Sequence, residues 1–186
     1  MKIMRTMLLG CAAAAAITAA ALGMTTPVQA KPLSVCFKTA DGKHYLQRGR
    51  SGGHLQAVAT RCKGDAVFVV HEAKDQKRAP RFGKPVALKA KKAERYVWMS
   101  HKKKTAFASK KALKMRDKRF FFQINRASGG GGGAPISVGD RVSIKSYVKG
   151  VNAYVSGGGG ESISFGTLPK HKAKWGTFLM VKAQRR

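Results

Sequence analysis

Val35–Ala73 reads VCFKTADGKHYLQRGRSGGHLQAVATRCKGDAVFVVHEA. Beneath it, Val86–Ala127 reads VALKAKKAERYVWMSHKKKTAFASKKALKMRDKRFFFQINRA, and Val142–Ala183 reads VSIKSYVKGVNAYVSGGGGESISFGTLPKHKAKWGTFLMVKA. Each stretch opens on two apolar residues separated by one residue, followed by lysine: Val35/Phe37/Lys38, Val86/Leu88/Lys89, Val142/Ile144/Lys145. A polar turn and a tyrosine follow (Tyr45, Tyr96, Tyr154), then a glycine- or lysine-rich turn. The unit closes on an aromatic stretch built round Phe68, Phe121 and Phe178, and then an alanine. Tyrosine to phenylalanine measures 23, 25 and 24 residues. Self-similarity at this period marks a chain built from one repeated supersecondary unit.

Within each unit the apolar residues recur with period two, the spacing of half-buried strands, and turn residues separate them. Asp41-Gly42 marks the first turn and Ser51-Gly52-Gly53 the tip of a hairpin. No stretch beyond the first thirty residues keeps helical periodicity over three turns. Four strands taken three times give twelve. One unit alone could not bury its apolar face, whereas three about a pseudo-threefold axis can close a small barrel and cap it. The expectation is an all-β chain with repeats at about 33–73, 84–127 and 136–183.

The pattern Val-x-[Phe/Leu/Ile]-Lys, Tyr-[Leu/Val], a glycine-bearing hairpin and a late phenylalanine strand resembles the β-trefoil of fascin-like proteins, over Leu33 to Ala183. The resemblance implies a β-trefoil domain over 31–186. Its functional implication is broad, because β-trefoils serve as actin bundlers, heparin-binding growth factors, lectins and inhibitors. The Gln-x-Trp triplet of ricin-type lectin repeats does not occur.

The first thirty residues read as an export signal. Lys2 and Arg5 precede an uncharged, alanine-dominated run from Met7 to Met24, and Val28-Gln29-Ala30 gives a small-x-small cleavage pattern. Leu8-Leu9-Gly10-Cys11 offers a lipoprotein box as the alternative, although the apolar run continues well past Cys11. Cleavage after Ala30 leaves 156 of 186 residues, secreted or periplasmic, and takes the formal charge from +29 to +27. No later apolar segment is long enough to span a bilayer. In an exported chain the two remaining cysteines, Cys36 and Cys62, are expected to form a disulfide.

A charge of +27 favours association with polyanions. It is unevenly spread: residues 31–82 carry net +7, residues 83–135 net +13 and residues 136–186 net +7. Lys102, Lys103, Lys104, Lys110, Lys111, Lys114, Arg116, Lys118 and Arg119 fall within eighteen positions beside a single acid, Asp117. These nine form the expected ligand-binding face. His101 to Lys104 aligns with the first unit's hairpin tip, and Trp98, sharing a face with Tyr96, is expected to pack at the barrel's cap. The mature chain carries 23 lysines against 12 arginines. Lysine, a mobile point charge, suits neutralising an extended anion better than reading bases.

The expected function is non-enzymatic binding of acidic polysaccharide, lipopolysaccharide, extracellular nucleic acid or an anionic surface. The alternatives are a fascin-like grip on actin or another acidic protein, and a lectin for neutral glycans. No cofactor or metal is expected, since the two cysteines match no zinc spacing and no glycosidase carboxylate pair or nucleophile elbow occurs. The five histidines (44, 54, 71, 101 and 171) are not brought together by the sequence. Ser128 to Pro135 lacks the Gly-Lys-Ser ending of a phosphate loop and reads as a flexible linker. No catalytic residue is assigned.

Overall fold

The computed structural model describes residues 31–100, 105–130, 132–148, 154–156, 164–166 and 176–183. They form an all-β, antiparallel structure of twelve strands: β1 (Leu33–Thr39), β2 (Tyr45–Arg48), β3 (Leu55–Ala59), β4 (Phe68–Glu72), β5 (Pro85–Ala90), β6 (Arg95–Ser100), β7 (Thr105–Lys110), β8 (Phe122–Arg126), β9 (Arg141–Ser146), β10 (Tyr154–Ser156), β11 (Ser164–Gly166) and β12 (Thr177–Lys182). Single 3-10 turns at Gly64–Ala66 and Lys118–Phe120 lead towards β4 and β8. The export segment expected over residues 1–30 lies outside the described residues, as do Cys11, His101 and His171. Among the described residues, no helix is long and apolar enough to cross a membrane.

Six strands close a ring by pairing β1 with β4, β4 with β5, β5 with β8, β8 with β9, β9 with β12 and β12 with β1. Three hairpins, β2–β3, β6–β7 and β10–β11, join it through β1, β5 and β9. Alternation decides what faces in. Val35 and Phe37 of β1, Val86 and Leu88 of β5, and Val142 and Ile144 of β9 all belong to one buried core. Each fully buried phenylalanine there stabilises the fold by roughly 1.5–3 kcal/mol. Phe37 packs tilted against Phe68 at 5.9 Å and edge-on against Phe178 at 6.3 Å.

The lysine that follows each apolar pair has a structural partner. Lys38 lies directly opposite Tyr45, Lys89 opposite Tyr96, and Lys145 opposite Tyr154. The three ammonium groups sit 5.8, 5.7 and 5.6 Å from the respective ring centroids. A cation over an aromatic face is favourable, by about 0.5–1 kcal/mol at exposed sites. The closing alanines also share a role: the amides of Ala73, Ala127 and Ala183 donate to the carbonyls of Pro85, Arg141 and Ser34. Each joins the end of one unit to the strand that begins another.

Two sequence expectations change. The residue opposite Val86 is Phe122, as Phe68 is opposite Val35 and Phe178 opposite Val142. Phe121 instead belongs to a second buried cluster with Ala73, Ala87, Tyr96 and Phe120. Three consecutive phenylalanines concealed the phase, and the turn at Lys118–Phe120 sets it. The stretch read as a linker is docked rather than free at its end. Gly133 N donates to Phe82 O at 2.8 Å, and Phe82 N donates to Ala134 O at 2.9 Å.

The disulfide joins Cys36 to Cys62, with a Cα separation of 5.6 Å. It explains why Cys36, on the outward face of β1, is nonetheless buried: with Cys62, Ala66 and Val67 it makes a third small cluster. The glycine hairpin tip is equally specific. Gly53 adopts φ +70°, its carbonyl accepts from Ala108 N at 2.7 Å, and a Cβ there would stand 2.9 Å from Ala108 O. Only glycine allows this approach of two backbones.

Candidate functional site

β6 and β7 pair from Ser100↔Thr105 back to Tyr96↔Lys110, with a bulge between Tyr96 and Val97. Val97, Met99, Ala106 and Ala108 turn into the core. Tyr96 and Trp98 turn the other way, onto the cluster built by Phe120 and Phe121. Trp98 therefore does share a face with Tyr96, but it is half-buried outside the main core. Its ring stacks on Phe107 at 5.2 Å and 20°, and Nε1 donates to Ser109 Oγ at 2.8 Å.

Two of the expected ligand-binding cations converge on that ring. Lys110 Nζ stands 5.6 Å and the Arg119 guanidinium 5.7 Å from its centroid. Arg119 also grips Asp117 with both arms: Nε donates to Oδ1 at 2.9 Å and the terminal nitrogen to Oδ2 at 2.8 Å. Asp117 Oδ1 further accepts from the Arg119 amide at 3.1 Å and so caps the turn at Lys118–Phe120. Hydrogen bonding from the Arg119 side chain, chiefly, holds the Asp117 carboxyl below the usual carboxylate range.

Lys111, Lys114, Arg116 and Lys118 lie along the exposed connection between β7 and β8, with Met115 half exposed among them. The one carboxylate of that connection is hydrogen-bonded by Arg119, and of these four cations Lys114 also acts on it through its charge. Lys102, Lys103 and Lys104 lie outside the described residues, between the paired Ser100 and Thr105. Six of the nine expected cations thus belong to one segment. Two of the six, Lys110 and Arg119, are tied to Trp98, and the other four project from the loop.

Two of the histidines have structural surroundings. His71 is buried, with Nδ1 3.0 Å from Glu72 O and Nε2 unpartnered, and its ring meets Tyr96 edge-on at 6.0 Å. Burial, first, and the Lys89 charge push its pKa below the ordinary histidine value; the Glu72 carbonyl acts the other way. His54 packs on Phe107 at 4.3 Å. Among the described residues, no group of three or more His, Cys, Asp or Glu is placed to hold a metal ion.

The six described cations of that segment, the cation ridge, do not line the two grooves beside the turn at Gly64–Ala66. Those grooves are lined by cations from positions 48 to 182. No single stretch of sequence contains them, so a search for charge runs passes over them.

No protein-family model and no curated protein sequence matches the chain. Solved structures do share its fold. A Caenorhabditis elegans structural-genomics protein of unknown function superposes with a TM-score of 0.64 at 11% identity, covering 86% of this chain and 99% of that one. The SDF2-like protein from Arabidopsis thaliana gives 0.62 at 9% identity, covering 82% and 94%. At such identities the similarity concerns the fold alone.

Proposed function

We propose that this chain is an exported, non-enzymatic β-trefoil that binds polyanions through the cation ridge of its middle unit. The trefoil reading rests on the recurrence of one scheme of strand pairing, lysine–tyrosine contact and alanine closure in all three units. The export reading rests on the N-terminal sequence and fits the Cys36–Cys62 disulfide.

One observation carries the binding reading. Between Lys110 and Arg119 six exposed cations share a single carboxylate, and that carboxylate is already bound by Arg119. Lys111, Lys114, Arg116 and Lys118 are left as solvated charges on a short loop. Such an array attracts a polymer of closely spaced anions and gains affinity by releasing its counterions.

The test is charge reversal. Lys111, Lys114, Arg116 and Lys118 are changed to glutamate, and a second variant carries the same change at Lys149, Lys170, Lys172 and Lys174 of the third unit. The ridge variant should lose about a hundredfold in affinity for a sulfated polysaccharide at moderate salt. Equal loss in both variants would reduce the effect to net charge and refute a localised face.

A further inference from the structure

The two grooves beside the turn at Gly64–Ala66 have volumes of about 1010 and 1060 Å³. They are neighbours, sharing Lys63, Gly64 and Lys92 as a common wall. Arg48 and Arg50 line the first, and Lys91 and Lys182 line the second. Six cations therefore surround one bipartite concavity. Its one acidic lining residue, Asp65, pairs with Lys92 at 3.6 Å.

Three of the six cations spring from fixed points of the fold. Arg48 Nε donates to Ala108 O at 2.9 Å, which braces the guanidinium at the groove. Lys63 follows the disulfide residue Cys62 directly, so the shared wall is tied to β1 through Cys36. Lys182 ends β12, whose register against β1 pairs it with Val35.

We infer that this bipartite groove is a second anion site, distinct from the cation ridge, and that its ligand is a chain of acidic sugars bearing carboxylate or sulfate groups. Arginine forks match such groups in two-point contact, and lysines supply charge along the chain. Gln47, Gln56 and Ser51 add hydrogen-bonding groups suited to sugar hydroxyls. No aromatic ring is among the described lining residues of either groove. A single-stranded nucleic acid would lack the stacking platforms on which its binding usually depends.

The experiment titrates the purified protein with a size-defined sulfated hexasaccharide by calorimetry at several salt concentrations. Lys63→Gln combined with Lys92→Gln, both exposed side chains, should weaken binding about tenfold. It should also lower the slope of log Kd against log salt by about two, one for each positive charge removed. Lys111→Gln combined with Lys114→Gln on the ridge should weaken the hexasaccharide less than the groove pair does, and Lys74→Gln combined with Lys77→Gln, exposed and outside both surfaces, should leave the constant within about twofold. Asp65→Asn removes the one carboxylate from the wall and should tighten binding, a gain that a folding defect could not mimic.

Weakening by the ridge pair alone would overturn the groove and leave the ridge reading standing. Weakening by the groove pair alone, with unchanged polymer binding in the ridge reversal, would support the groove and refute the ridge. Equal weakening by both pairs would overturn a distinct site. Stronger dependence on Lys63 and Lys92 for a single-stranded oligodeoxynucleotide than for the hexasaccharide would overturn the ligand class.

Discussion

Removing the Cys36–Cys62 disulfide should destabilise the protein by about 3.5 kcal/mol. The bond spans a sequence separation of 26 residues. In the chain-entropy account, freeing a loop of that length returns about 12 cal/mol/K to the unfolded chain, or about 3.5 kcal/mol at 25 °C. Both sulfurs are buried, so Cys36→Ala with Cys62→Ala also loosens the packing on Ala66 and Val67. For a domain near 150 residues the expected fall in melting temperature is about 10 °C. Thermal melts followed by near-ultraviolet circular dichroism, with and without reductant, read this directly. The wall carrying Lys63 hangs on the same bond, so the hexasaccharide should bind more weakly to the double variant under conditions where it remains folded. A melting point lowered by less than about 2 °C would refute the reasoning, because neither the loop nor the small cluster would then depend on the crosslink.

Other consequences can be read separately. Phe122→Ala should cost about 3–5 kcal/mol in denaturant unfolding, since its ring fills the main core opposite Val86. Gly53→Ala should destabilise more than Gly42→Ala: both have positive φ, but only the Gly53 methyl group would press on a backbone oxygen, at 2.9 Å, and unequal melting points in that order check it. His71 contributes a pH dependence of definite sign. Its folded pKa lies below the ordinary 6.5, so the unfolded chain takes up the proton first and stability falls as pH drops below about 6.5. His71→Phe should flatten that part of the melting-temperature profile while Tyr96 keeps an aromatic neighbour.

Much of the fold was legible because burial acts on every second residue of a strand. Val35/Phe37, Val86/Leu88 and Val142/Ile144 carry the ring's inward pattern in plain sight, and each of the two cysteines beyond the first thirty residues had one partner to choose there. The constant lysine after each pair was visible as a repeat, but its tyrosine partner depends on strand register, which the sequence does not print. Phe121 and Phe122 differ by one position, and a one-residue change of phase exchanges core for outer face. The cation ridge was legible because its members are close together in the chain. The grooves were not, since Arg48 comes beside Lys92 in one groove, and Lys182 beside Lys92 in the other, only after distant segments have folded.

The most direct measurement is the salt dependence of binding to a long sulfated polysaccharide, comparing the wild-type protein with the Lys111, Lys114, Arg116 and Lys118 variant. The ridge account predicts a steep fall of affinity with salt for the wild type, and a slope shallower by about four, one for each cation removed, in the variant. A variant slope equal to that of the wild type would contradict it.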